Sequence, residues 1–256
     1  MTTVMRAVRD GVGWITLNRP DRMNAITIEL GRELERAILD VGTEQDVNVV
    51  AIRGAGGNFC AGGDFDEVQR LRAGGSEALR PLFDTFRCAC EAVAKVAVPV
   101  VAAVEGVAMA GGFELMQAAD IVLVSDDARI ADNHISFGMI PGGGSTQRLP
   151  RLVGRQVALG MLLSGEKMSG VDALRRGLAY RSFPQGEFDD EVHRFVASLA
   201  QRQRTAVTAI KRLVYSSVGH VSAAGLDNEI TAVVAHLGGV DGARGVAAFG
   251  ARGVGR

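Results

Sequence analysis

Cysteine is scarce. Cys60, Cys88 and Cys90 are an odd, sparse set that excludes a disulfide framework and points to a reducing compartment. Cys88 and Cys90 lack metal-ligand spacing and have no nearby histidine, which argues against a zinc site. Aromatics are only 5% of the 256 residues, too few to suggest a stacking platform for single-stranded nucleic acid. Neither sign of charge dominates: 28 Lys and Arg face 29 Asp and Glu. The net charge of −1 gives no field that would draw nucleic acid or a membrane surface. No apolar run reaches the ~18 residues of a membrane span. The nearest, residues 93–116, is broken by Lys95, Pro99, Glu105 and Glu114. The opening MTTVMRAVRDG is charged and has no apolar centre, so no signal peptide is visible and a cytoplasmic location is expected.

Glycine is abundant, with 33 residues, yet the phosphate-binding glycine motifs are missing. Gly54-Ala55-Gly56-Gly57-Asn58-Phe59 has Phe59 where a dinucleotide fingerprint needs glycine. GMLLSGEK, from Gly160 to Lys167, has Glu166 where a P-loop needs its lysine. Gly143-Gly144-Ser145-Thr146-Gln147 lacks the closing glycine of a nucleophile elbow. These departures argue against a Rossmann enzyme and a serine hydrolase.

The hydrophobic fraction of 47% and charged fraction of 22% suit a globular chain with a sizeable core. Val12, Trp14, Ile15 and Leu17 run into the turn Asn18-Arg19-Pro20-Asp21 and predict a strand. Ile26, Leu30, Leu34, Ala37 and Ile38 predict a helix over 26–39, with Thr27 as its cap. The apolar runs 47–52 and 98–104 read as buried strands. Helical spacing returns over 81–96, a further helix is expected over 113–119, and IVLVS after Asp120 is another strand. Alternating strands and helices predict an α/β fold for the first part of the chain; the later part reads as a mostly helical appendage.

Two glycine loops lie at strand ends: Cys60-Ala61-Gly62-Gly63-Asp64 and Ala110-Gly111-Gly112-Phe113. Glycine lets backbone N–H groups come close to a ligand. Stabilising an oxyanion takes two convergent donors, and the positive end of a helix beginning at the second loop would help. Tight turns required by packing are the other reading of the same residues.

These segments, in this order, resemble the enoyl-CoA hydratase/isomerase (crotonase) family. Asn58-Phe59-Cys60-Ala61-Gly62-Gly63-Asp64 is similar to its first loop, and residues 99–106 with 110–115 to its second signature. Ala119-Asp120-Ile121, residues 138–149, Asn18-Arg19-Pro20, Asn24-Ala25 and Val246-Ala247-Ala248-Phe249 extend the likeness over nearly the whole chain. The resemblance implies a spiral of ββα units over residues 1–195 and a C-terminal α-helical trimerisation region over 196–256. It implies an acyl-CoA substrate, no separate cofactor, and a homotrimer or dimer of trimers. By motif position Gly63 and Gly111 would donate to the thioester oxygen. Arg19, Arg22, Ala61, Gly62 and Asp64 would line the CoA path. Phe249 and Arg252 would reach a neighbour's CoA; Arg252 stands where a lysine is common.

Hydratases of this family hold water between two glutamates. Glu114 matches the first; the second position is occupied by His134. A histidine can give or take a proton near neutral pH. His134 is therefore either a proton-transfer group or a pocket-lining one, and Asp132 is a further carboxylate beside it. Glu114 otherwise reads as a helix N-terminal carboxylate. The leading expectation is an enoyl-CoA hydratase-type lyase with Glu114 activating water. The alternatives are a C–C bond hydrolase on a β-keto acyl-CoA and an acyl-CoA-binding protein without turnover.

Overall fold

The structure, a computed structural model, describes residues 2–217 together with Thr231 and Val240. The chain opens with the antiparallel pair β1 (Val4–Arg9) and β2 (Val12–Leu17). Helix α1 (Ile28–Thr43) follows, and Thr27 caps it: its side chain accepts from the Leu30 N–H at 3.1 Å. Such a cap contributes about 1 kcal/mol. Ile26, expected in this helix, lies before it in a bridge to Gly63.

Then come β3 (Val49–Gly54), α2 (Phe65–Ala73), α3 (Ser76–Lys95) and β4 (Val100–Val104). The sequence predicts the third helix from residue 81, but it begins at Ser76 with Pro81 inside. Its first turns are polar and carry no apolar period, and proline resembles a start signal. Next are β5 (Val107–Met109), α4 (Gly111–Ala118), β6 (Ile121–Ser125) and β7 (Arg129–Ala131). The rest of the described residues are mostly helical, as expected, apart from one strand: α5 (Ser145–Val153), α6 (Arg155–Ser164), α7 (Gly170–Arg175), β8 (Arg181–Phe183), α8 (Phe188–Ala200) and α9 (Arg204–Ser216). At three residues β8 is too short to show a period, and pairing with β6 is what makes it a strand.

Among the described residues six strands form one sheet in the order β1-β2-β3-β4-β6-β8, parallel after the first pair, while β5 and β7 form a small parallel sheet. Alternation along the strands divides the core. Ile15, Val50, Ile52, Val100 and Val122 join the larger apolar cluster with residues of α1 and α3. Trp14, Val49, Ala51, Val101 and Leu123 face the other way and pack with Phe188, Val192 and Val196 of α8. A parallel sheet covered on both faces explains the continuous apolar runs of β3 and β4. His193 of α8 rests on the Trp14 ring, with centroids 4.5 Å apart.

Helix α9 is fastened by polar contacts. Lys211 Nζ donates to the carbonyls of Val93 and Val98 at 2.8 and 3.0 Å and pairs with Asp120 at 2.6 Å. Tyr215 donates to the other Asp120 oxygen. Burial pulls the Lys211 ammonium below its ordinary pKa against the opposing effect of Asp120. Among the described residues no helix is long and apolar enough to cross a membrane.

Candidate active site

The two glycine loops meet. Cys60 N–H donates to the Val107 carbonyl at 2.9 Å, and Met109 N–H to the Cys60 carbonyl at 3.0 Å, so the first loop runs beside β5. Its other side is tied by Ala61 N–H to the Met23 carbonyl at 2.9 Å and by Ile26 N–H to the Gly62 carbonyl at 2.7 Å. Asn24 is fully buried and links three backbone strands: it accepts from Arg19 N–H and donates to the carbonyls of Ala55 and Asn58. Gly62 has φ +101°, and a Cβ there would stand 2.8 Å from Ala110 Cβ and 3.3 Å from Gly111 N. Only glycine meets both demands.

Ala110, just before α4, has φ +48° without being glycine. Such a residue persists only where its surroundings over-determine it. Here Ala110 N–H donates to the Ala131 carbonyl, and Gly112 lies against the Cys60 carbonyl. This sharp turn starts α4 at Gly111. Among the described residues neither the Gly63 N–H nor the Gly111 N–H has an acceptor.

Glu114, one turn into α4, is 2% exposed. Its Oε1 accepts from the N–H groups of Gly143 and Ser145 at 2.7 and 3.1 Å. These donors are the start of α5, so the carboxylate sits at a helix N-terminus belonging to another segment. Gly143 has no room for a side chain: a Cβ would lie 2.3 Å from Phe86 Cε1 and 2.9 Å from Glu114 Oε2. Arg148 donates to the Gly143 carbonyl at 2.6 Å and holds the loop from behind. Oε2 has no hydrogen-bond partner among the described residues. Burial raises the Glu114 carboxyl above the usual carboxylate range; the Ser145 and Gly143 N–H groups and the charge of His134 pull the other way.

His134 begins a short 3-10 turn, His134–Phe137, after β7. Its Nδ1 lies 2.6 Å from Asp132 Oδ1, and the side chains are 14% and 1% exposed. Burial works to lower the imidazole pKa; the hydrogen bond to Asp132 and the charges of Asp132 and Glu114 outweigh it and hold it above the ordinary value. Glu114, His134 and Asp132 therefore form one electrostatic cluster. The sequence marks Asp132 as a neighbouring carboxylate, and the structure gives it a direct bond to His134.

The remaining candidates divide. Arg19 and Asp64 bind each other at 2.8 Å; Arg19 also donates to the Ala25 carbonyl, and Asp64 caps α2 by accepting from Glu67 N–H. The charge of Arg19 is thus already matched. Arg22 is exposed and paired with Asp66 at 3.0 Å. Phe249 and Arg252 lie outside the described residues. Burial pushes the Cys60 and Cys90 thiols up to about 12, which keeps them protonated and unreactive. Among the described residues no cluster of three His, Cys, Asp or Glu side chains could hold a metal ion.

This fold and paired-loop site define a class. The sequence model of the family described as "Enoyl-CoA hydratase/isomerase" matches residues 7–252. The chain belongs to that family and is an enzyme of it. A "Probable enoyl-CoA hydratase" of Rhizobium meliloti is 32% identical over 98% of this chain and 95% of its own length. A "Delta(3,5)-Delta(2,4)-dienoyl-CoA isomerase, peroxisomal" of Arabidopsis thaliana is 29% identical over 79% of this chain and 77% of its own. The solved enoyl-CoA hydratase of Bacillus anthracis superposes with a TM-score of 0.91 at 28% identity, covering 98% of this chain and 96% of that one. The fold is the crotonase fold. Neither C–C bond hydrolysis nor binding without turnover is favoured by these relatives.

Proposed function

We propose that this enzyme adds water across the double bond of an enoyl-CoA thioester. The carrying observation is the buried Glu114: one oxygen is fixed by two backbone N–H groups and the other has no partner among the described residues. A base fixed this way can take a proton from water without reorganising, and its raised pKa brings it nearer the range of an effective base.

The arrangement supports the following steps. The thioester carbonyl oxygen would accept from the Gly63 and Gly111 N–H groups. Glu114 takes a proton from water as the oxygen bonds to the β-carbon. The double-bond electrons move to the α-carbon and thioester oxygen, forming an enolate that the two N–H groups stabilise. His134, as imidazolium, gives its proton to the α-carbon. Return of one proton from Glu114 to His134 restores both groups.

CoA would run past Ala61 and Gly62 toward Arg22, with the Arg19–Asp64 pair shaping the wall. The cytoplasmic location belongs to the same reading, as do the homotrimer or dimer of trimers and the division into residues 1–195 and 196–256. Exposed Phe137, Ile140 and Leu163 support an apolar contact between subunits.

The test is product mass from a panel of enoyl-CoA esters with wild type and Glu114→Gln. The expected result is a gain of one water that is lost in the variant. Absence of hydration across the panel, or full activity in Glu114→Gln, overturns the reading.

A further inference from the structure

Asp132 is 1% exposed, and among the described residues only Oδ1 has a hydrogen-bond partner, His134 Nδ1. Oδ2 is buried without one. Among the described residues no lysine or arginine pairs with Asp132, and His134 is its only ion-pair partner. A carboxylate retained to stabilise a fold is normally hydrogen-bonded at both oxygens, because an unsatisfied buried oxygen costs about 1–3 kcal/mol. This one is satisfied only where it touches the histidine.

We propose that Asp132 is a positioning residue for His134: its bond fixes Nδ1 as the donor, so that Nε2 is the nitrogen that transfers the proton. The inference rests on the hydratase reading, in which His134 protonates the α-carbon. An imidazole ring is rigid, so holding Nδ1 turns Nε2 to the opposite side and selects one tautomer once the proton has left. Asp132 also balances the imidazolium charge, so the acid form survives to higher pH. Among the described residues two charged groups act on His134: Asp132, just after β7, and Glu114, from α4. Helix α6 approaches the same turn at its C-terminal end, where Gly165 lies near Ser136; its one charged residue, Arg155, is at the other end.

The experiment compares wild type, Asp132→Asn, His134→Gln and the double variant. An acid must be protonated to act, so the alkaline limb of kcat/KM follows the His134 pKa. Asparagine keeps an oxygen for Nδ1–H but removes the charge, so that limb moves to lower pH by about one unit or more. We expect kcat to fall about 10- to 100-fold while KM changes less than about threefold. Adding Asp132→Asn to His134→Gln then changes nothing further. An unmoved alkaline limb, or an independent additive loss in the double variant, overturns the proposal. A lowered Tm with an unmoved limb marks a merely structural role and overturns it too.

NMR titration of the His134 ring protons, assigned with His134→Gln, tests the pair without turnover. The ring titrates at lower pH in Asp132→Asn if the proposal holds and at the same pH if it does not. Should wild type hydrate no enoyl ester, the hydratase reading fails and this titration still decides whether Asp132 governs His134.

Discussion

Glu114 and His134 belong to regions built on different lines. Glu114 stands on α4 and is held by two main-chain N–H groups at the start of α5. His134 stands on a short turn and is held by the side chain of Asp132. A backbone grip survives side-chain replacement in the gripping segment, so long as the loop keeps its path. A side-chain grip depends on one residue. The first arrangement fixes a geometry, whereas the second also sets a charge. Both groups have raised pKa values, by opposite balances: burial dominates for the carboxyl, while neighbouring anions outweigh burial for the imidazole.

The largest test of this contrast is Glu114→Gln, expected to lower kcat/KM about 10³-fold or more in initial-rate assays. The same change sharpens the burial argument. A carboxyl whose folded pKa is raised adds stability when protonated at low pH, and that contribution is lost as pH rises through the folded value. Above that range the buried charge weakens the fold, so Glu114→Gln should raise Tm at pH 8, by about 2–4 °C, and lose that gain in acid. A Tm gain that persists in acid would break the argument.

His134→Gln comes next, with kcat down about 100-fold and the alkaline limb of the wild-type pH profile abolished. Persistence of that limb would assign it to another group. Gly143→Ala disturbs the backbone grip itself by crowding Phe86 and Glu114. Activity should fall about tenfold, and stability by about 1–3 kcal/mol in denaturant titration.

Ser145→Ala should have the smallest effect on rate. Its backbone N–H still holds Glu114, and the loss is the buried hydrogen bond from Gln117 to the hydroxyl at 2.8 Å. Stability should fall by about 1 kcal/mol with kcat within about threefold of wild type. A large kcat loss would show that the backbone grip depends on that side chain after all.

Much of the scaffold was legible. The apolar periods placed α1, β3 and β4 to within a few residues, and Thr27 was readable as a cap because its residue type and position suffice. The family was legible from ordered motifs along nearly the whole chain, the two glycine loops among them; the structure adds that a side chain at Gly62 or Gly112 would meet close neighbours. Helix α2 carried too little apolar period to be read, with Leu71 its only buried residue. The Arg19–Asp64 pair joins residues far apart in sequence, and nothing local announces it. The bond between Asp132 and His134 depends on how the chain turns after β7. The spacing alone would equally place two exposed side chains there.

The fastening of α9 has a consequence for how the chain is made. Asp120 stands just before β6, beside the first residue of β4, yet its cation is Lys211, synthesised 91 residues later (211 minus 120). None of the residues of α9 is fully buried, so its hold on the body rests largely on Lys211, Tyr215 and the Arg204 contact with the Val47 carbonyl. While the ribosome is still producing that segment, the emerged sheet carries a carboxylate at the ends of β4 and β6 that has the Val100 N–H but no cation. A later stretch of translation therefore neutralises a charge left by an earlier one, and a chain released before Lys211 would lack that partner.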